Sequence, residues 1–239
     1  MGSISHISPD AGVRTHERYP TWEGIMPLPP DGLLWSVGGS SLEVFLVVAD
    51  AWDQAIAAYL QPDATVLEIG CGCGRNARSL LRHPLVSRYV GFDVIAQNIA
   101  WCNHFLAPLA KARAEFLHYD VFSAEYNPGG RMRGAEVVFP CEDGAAGVVV
   151  ANSVFTHLLE PDARHYLSET GRVLSRSGHA LLSFHTNVPE GIRFAGTEAR
   201  IDIEPEYFVE LAAAANLVCQ RRIAEFCGQS LFVFSRRNL

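Results

Sequence analysis

The sequence lacks an excess of basic charge: 19 Lys and Arg stand against 26 Asp and Glu, a formal net charge of −7. A dedicated nucleic-acid binder draws its affinity from a basic face, so no nucleic-acid partner is expected. No apolar run approaches the ~18 residues of a membrane span. The longest, Val44–Val48 and Val148–Ala151, are of core length, and no membrane association is expected. The opening residues MGSISHISPD have neither the basic region nor the apolar stretch of a signal peptide. A cytoplasmic protein is therefore expected, its six cysteines reduced. Cys71 and Cys73 have no second Cys or His pair at zinc-finger spacing, so no metal is expected. Repeats and low-complexity tracts are absent as well.

What is present is a chain of 239 residues with 49% hydrophobic side chains. That suits one α/β domain with a decorated edge. Residues 1–40 hold Pro20, Pro27, Pro29, Pro30, Gly38, Gly39, Trp22 and Trp35, which reads as an N-terminal tail and lid segment. The domain proper is expected over 41–239. Ser40 or Ser41 caps a helix near Leu42, and Val44, Val48, Trp52, Ile56 and Tyr59 keep helical spacing to Leu60. Strands are expected at Thr65–Ile69, Tyr89–Phe92, Glu115–Tyr119, Gly147–Ala151 and His179–Phe184. Helices follow at Asn76–Leu81, 96–106 with an Ala-rich continuation over 107–113, Pro161–Leu174 and Pro205–Ala214. Residues 121–146 read as an insertion and 186–204 as a long loop. Strand–helix alternation predicts a doubly wound, parallel sheet with helices on both faces. The last two strands, Val218–Arg222 and Leu231–Ser235, lie too close for a parallel crossover. The sheet is therefore expected to have seven strands, the last antiparallel.

The chemistry concentrates in Val66-Leu67-Glu68-Ile69-Gly70-Cys71-Gly72-Cys73-Gly74-Arg75-Asn76, between a strand and a helix. A dinucleotide site requires G-x-G-x-x-G. Counted from Gly70 the third glycine slot is Arg75, and from Gly72 it is Ala77, so both registers fail. Glu68 sits at the ligand end of its strand, where a carboxylate repels pyrophosphate and attracts an ammonium. Asp93, 23 residues after Gly70, ends the second strand and can accept both ribose hydroxyls. Asp120 ends the third strand and can accept from an adenine amino group. An ammonium, a ribose and an adenine without phosphates describe S-adenosylmethionine.

These residues resemble the class I S-adenosylmethionine-dependent methyltransferases: E-x-G-x-G-x-G, Asp93, Asp120 and the terminal antiparallel strand follow that plan over roughly 40–239. YNPGG (126–130), FPCEDG (139–144), ANSVFTHL (151–158), YLSETGRVL (166–174) and the V-G-G-S-S element Val37–Ser41 are similar to a bacterial small-molecule subgroup. Gly147 and Arg176-Ser177-Gly178 depart from the family pattern at places peripheral to the cofactor. The resemblance implies a Rossmann-like fold and S-adenosyl-L-methionine as cofactor. Its binding residues are then Glu68, Gly70, Cys71, Gly72, Asp93, Val94, Asp120, Val121, Asn152 and Ser153. A homodimer is one assembly such a chain can form.

Methyl transfer rests largely on alignment and exclusion of water. A hydroxyl acceptor also benefits from a base, and His157 and His185 follow the fourth and fifth strands. His118 reads as a structural strand residue. The segment Asn152-Ser153-Val154-Phe155 lacks the prolines of nucleobase amino methyltransferases. It also lacks the carboxylate of a magnesium-dependent catechol site. Tyr19, Trp22, Trp35, Phe155, Phe194 and Phe208 are candidates for an apolar acceptor pocket, with Trp22, Trp35, Phe155 and Phe194 taken as substrate contacts. The expected activity is O-methylation of a small molecule of specialised or sugar metabolism. The alternative is a protein of this fold that binds the cofactor without transferring methyl.

Overall fold

The computed structural model describes residues 26–38 and 41–237. Trp22 and Tyr19 lie outside the described residues. In chain order the elements are α1 (Asp31–Leu34), α2 (Leu42–Ala57), β1 (Ala64–Ile69), α3 (Ala77–Leu80), β2 (Val86–Asp93), α4 (Ala96–Trp101) and β3 (Arg113–His118). They continue with β4 (Ala146–Ala151), α5 (Glu160–Val173), β5 (Leu174–Phe184), β6 (Phe194–Thr197), β7 (Arg200–Ile203), α6 (Pro205–Ala214), β8 (Leu217–Phe226) and β9 (Gln229–Arg236). Ser41 caps α2 by accepting from the Val44 N–H at 3.2 Å. The apolar face of α2 buries Phe45, Leu46, Trp52 and Ile56.

The seven-stranded sheet runs β3-β2-β1-β4-β5-β9-β8. β1 pairs in parallel with both β2 and β4, and the strand order reverses around it. β9 is antiparallel to both β5 and β8. The expected antiparallel last strand is thus present, slotted between two others. Both strands of the last hairpin are longer than the sequence suggested, and only Cys227 and Gly228 separate them. Their φ angles of 52° and 79° make this a two-residue turn with both central residues left-handed, the form that matches strand twist.

The central strands bury both faces. Val66 and Tyr89 join Phe45, Trp52 and Val148 in one core layer. Leu67 and Val149 join Phe155, Tyr166, Phe184 and Phe208 in the other. Two expectations need correction. Segment 186–204 is not wholly a loop, because β6 and β7 pair as a separate antiparallel hairpin. The expected helix over 107–113 is a single 3-10 turn at Ala107–Leu109, preceded by a π turn at Cys102–Leu106 that extends α4. Among the described residues no single helix is long and apolar enough to cross a membrane.

Candidate active site

β1 ends at the point where the strand order reverses, which is where open α/β sheets bind ligands. There Gly70 and Gly72 adopt φ of 63° and 55°, and the chain turns sharply back across the strand ends. A cavity of ≈ 580 Å³ opens beside this turn. Of the expected site residues, Glu68, Gly70, Cys71, Asp93, Val94, Val121, Asn152, Ser153 and His157 line it. Ser36, Val37 and Gly38 form part of its wall, so the segment before α2 covers the glycine turn.

Asp93 is buried at the end of β2 and fastens that turn. One carboxylate oxygen accepts from the Gly72 N–H at 2.8 Å and the other from the Ile95 N–H at 2.8 Å. Burial pushes its pKa up, and these two N–H donors oppose the rise. Glu68, at the end of β1, is buried too, accepting from the Tyr89 hydroxyl at 2.5 Å and the Asn76 amide at 2.8 Å. Burial outweighs both hydrogen bonds and the nearby Arg75, so the carboxyl is pushed up to about 7.

Several expected residues stand elsewhere. Gly72 does not line the cavity. A Cβ on it would meet Val37 Cγ1 at 2.3 Å, so the missing side chain makes room for the covering segment. Asp120 does not line the cavity either, because its carboxylate is held by Arg131 at 2.8 Å and Asn127 at 3.2 Å. Phe155 is wholly buried, edge-on to Phe208 at 5.1 Å, in the sheet–helix core. Phe194 lies on β6, and Trp35 is exposed, stacked on Tyr126 at 6.3 Å; neither lines the cavity. His185 is also absent from the wall, and is tied to the β7 backbone through its carbonyl, which accepts from Ile203.

His157 does line the cavity. Its Nδ1 lies 2.7 Å from the Glu198 carbonyl, and its Nε2 lies 3.1 Å from the Tyr126 hydroxyl. Burial lowers its pKa, so the ring is neutral at pH 7. Tyr126, Arg133, Asp162 and Glu198 also line this end, and sequence reasoning missed all four. Tyr126 stands in the quoted YNPGG element, which was the available signal. Arg75 and Asn76 were visible only as the residues closing the glycine motif.

Residues 67–182, from β1 into β5, match the family described as a methyltransferase domain. The chain belongs to the class I S-adenosylmethionine-dependent methyltransferases. Its fold is similar to 1,6-didemethyltoxoflavin-N1-methyltransferase of Burkholderia thailandensis, solved with 1,6-didemethyltoxoflavin and S-adenosylhomocysteine. That match has 16% identity and a TM-score of 0.60, over 89% of this chain and 92% of the other. It is also similar to a TehB-like methyltransferase of Corynebacterium glutamicum, at 18% identity and a TM-score of 0.54, over 85% and 92% of the two chains. The cyclase SpnF shares the fold at 15% identity and a TM-score of 0.58, over 79% and 80%.

The residues of this methyltransferase fit S-adenosylmethionine. The Asn76 Oδ1 and the Arg75 Nε are buried without a hydrogen-bond partner, one acceptor and one donor ready for an amino-acid zwitterion. Glu68 adds a carboxyl beside them, and Asp93 stands on the same wall. Phe92, Val94, Ile95 and Val121 supply apolar surface suited to a nucleoside. When bound, the cofactor supplies an electrophilic methyl group on a sulfonium sulfur. Residues 36–38 and His157 stand on the wall of the same cavity.

Proposed function

We propose that this methyltransferase modifies a hydroxyl group of a small molecule in specialised or sugar metabolism. The observation that carries the reading is His157: a neutral imidazole on the cavity wall, with one nitrogen fixed as a donor to Glu198. A hydroxyl must lose its proton as it is methylated, and such an imidazole is suited to take it. The cavity volume falls within the range of small-molecule sites, about 300–1,000 Å³. The Burkholderia neighbour, named for a small-molecule acceptor, supports the same substrate class. The acidic net charge argues for a small molecule over a nucleic acid. In this reading cofactor binding falls to Glu68, Gly70, Cys71, Asp93, Val94, Val121, Asn152 and Ser153, with residues up to 40 as a lid over the domain that follows. A cytoplasmic location and a homodimer belong to the proposal, and the free state of all six cysteines supports a reducing compartment.

The test is incubation with methyl-labelled cofactor and a panel of phenols, sugars and amines. Labelled ethers among the phenols or sugars are expected. Label on amines alone overturns the hydroxyl acceptor. Binding of S-adenosylhomocysteine with no labelled product across the panel points to another reaction in the same fold, as SpnF's naming as a cyclase illustrates.

A further inference from the structure

Tyr126 lies on the irregular stretch after β3, and its side chain and that of His157 share one wall of the cavity. The rings meet edge-on, with centroids 4.9 Å apart and planes at 89°. A backbone carbonyl can only accept a hydrogen bond, so the 2.7 Å contact to Glu198 puts a proton on Nδ1 of His157. In the neutral ring Nε2 is then an acceptor, and the Tyr126 hydroxyl, 3.1 Å away, donates to it. The lone pair that a histidine base needs is therefore already occupied by a tyrosine proton. Trp35, stacked on the Tyr126 ring with planes 21° apart, limits how far that ring can swing away.

We propose, on the reading that the acceptor is a hydroxyl, that Tyr126 is a further catalytic residue, touching the acceptor and relaying its proton to His157. As the acceptor oxygen bonds to the methyl carbon, the carbon–sulfur pair goes to sulfur, leaving a neutral thioether. The acceptor O–H bond breaks and its proton goes to Tyr126 Oη. The original hydroxyl proton of Tyr126 passes to Nε2. Tyrosine ends neutral and His157 ends as imidazolium, its Nδ1–H still donating to the Glu198 carbonyl.

The surroundings suit these roles. Tyr126 is pushed up to about 12, by burial first and then by Glu125 and Asp93, so at neutral pH it holds its proton and cannot itself be the base. Glu125 and Glu198 favour the charged form of His157, while burial opposes it and His185 lies within charge–charge range. Asp162, on the same wall, interacts with Glu198.

Tyr126→Phe tests the relay, because it keeps the ring and removes only the hydroxyl. The expected loss in kcat on a hydroxyl acceptor is on the order of 10², with S-adenosylhomocysteine affinity unchanged. In the double variant Tyr126→Phe/His157→Ala, kcat is expected to fall no further than in His157→Ala alone, because serial members of one relay are not additive. A second readout needs no turnover: a hydrogen bond to Nε2 favours the neutral ring, so the His157 pKa followed by ¹⁵N NMR should rise in Tyr126→Phe. Parent-like kcat in Tyr126→Phe, multiplicative losses in the double variant, or an unmoved His157 titration would each overturn the relay. A parent enzyme that methylates no hydroxyl overturns the acceptor reading instead, whatever the NMR titration gives.

Discussion

Glu68 is a carboxyl whose proton is in play near neutrality. Folding raises its pKa from 4.5 to about 7, so the folded state holds the proton more tightly than the unfolded chain does. Its contribution to stability is complete below the unfolded value and is lost as pH rises through about 7. The difference amounts to something on the order of 3 kcal/mol. The Tm of the cofactor-free protein should fall between about pH 5 and 8, and Glu68→Gln should remove that part of the slope. Equal slopes in scanning calorimetry would contradict this. If the cofactor ammonium sits beside Glu68, binding near pH 6.5 should expel a proton, measurable by titration calorimetry in two buffers of different ionisation enthalpy. Asp93→Ala should weaken S-adenosylhomocysteine at least tenfold, since a charge-assisted hydrogen bond contributes roughly 1.5–3 kcal/mol. Unchanged affinity would remove Asp93 from the site. These two acids were legible because strand ends at a reversal of strand order point toward ligands. Asp120 lies two residues past the end of the edge strand β3 and turns to Arg131 and Asn127, partners from an aperiodic stretch whose path spacing does not reveal.

The element least legible in the sequence is the β6–β7 hairpin. Its strands have four residues each, and the alternation of Ile201 and Ile203 in β7 is too short to stand out from its surroundings, so it reads as loop. Its turn nonetheless brings Glu198 to the cavity, where the carbonyl accepts from the Nδ1–H of His157 and the carboxylate accepts from the Ala124 N–H at 2.5 Å. The hairpin therefore sets the tautomer of a residue 41 positions earlier. Gly196 holds it at φ 115°, and a Cβ there would lie 2.0 Å from the Arg200 carbonyl oxygen. Gly196→Val should displace Glu198 and lower kcat by roughly tenfold to a hundredfold, as small misplacements at a reacting centre do. Cofactor affinity should hold, because Asp93 and Glu68 are held by Gly72, Ile95, Tyr89 and Asn76 and not by the hairpin. A variant with parent kcat would show that His157 does not need this support. The expected helix over 96–106 is present as α4 and the turn that extends it, but nothing in its spacing marks the change to a π turn at Cys102. That turn brings the Cys102 thiol 3.6 Å from the Gly72 carbonyl, beneath the glycine loop.

At the scale of the whole molecule the sheet was the most legible feature. Strand–helix alternation fixes parallel pairing, and the short last connection forces the reversal of β9. Spacing did not reveal that β9 enters between β5 and β8. That position has a consequence for biosynthesis. While a nascent chain is shorter than Gln229, β5 presents an unpaired edge, Ala180-Leu181-Leu182-Ser183-Phe184, apolar and free to recruit another chain. Translation must therefore deliver nearly the whole domain before its most adhesive edge is covered, and the two-residue turn at Cys227–Gly228 governs how promptly the covering strand folds back. Gly228→Val, placed at φ 79°, should lower the yield of soluble protein while molecules that do mature keep parental kcat. Fractionation of lysates beside kinetics on the purified variant separates the two effects, and a parental soluble fraction would count against it. Selection on this turn then acts through the number of molecules that survive synthesis, not through the turnover of each.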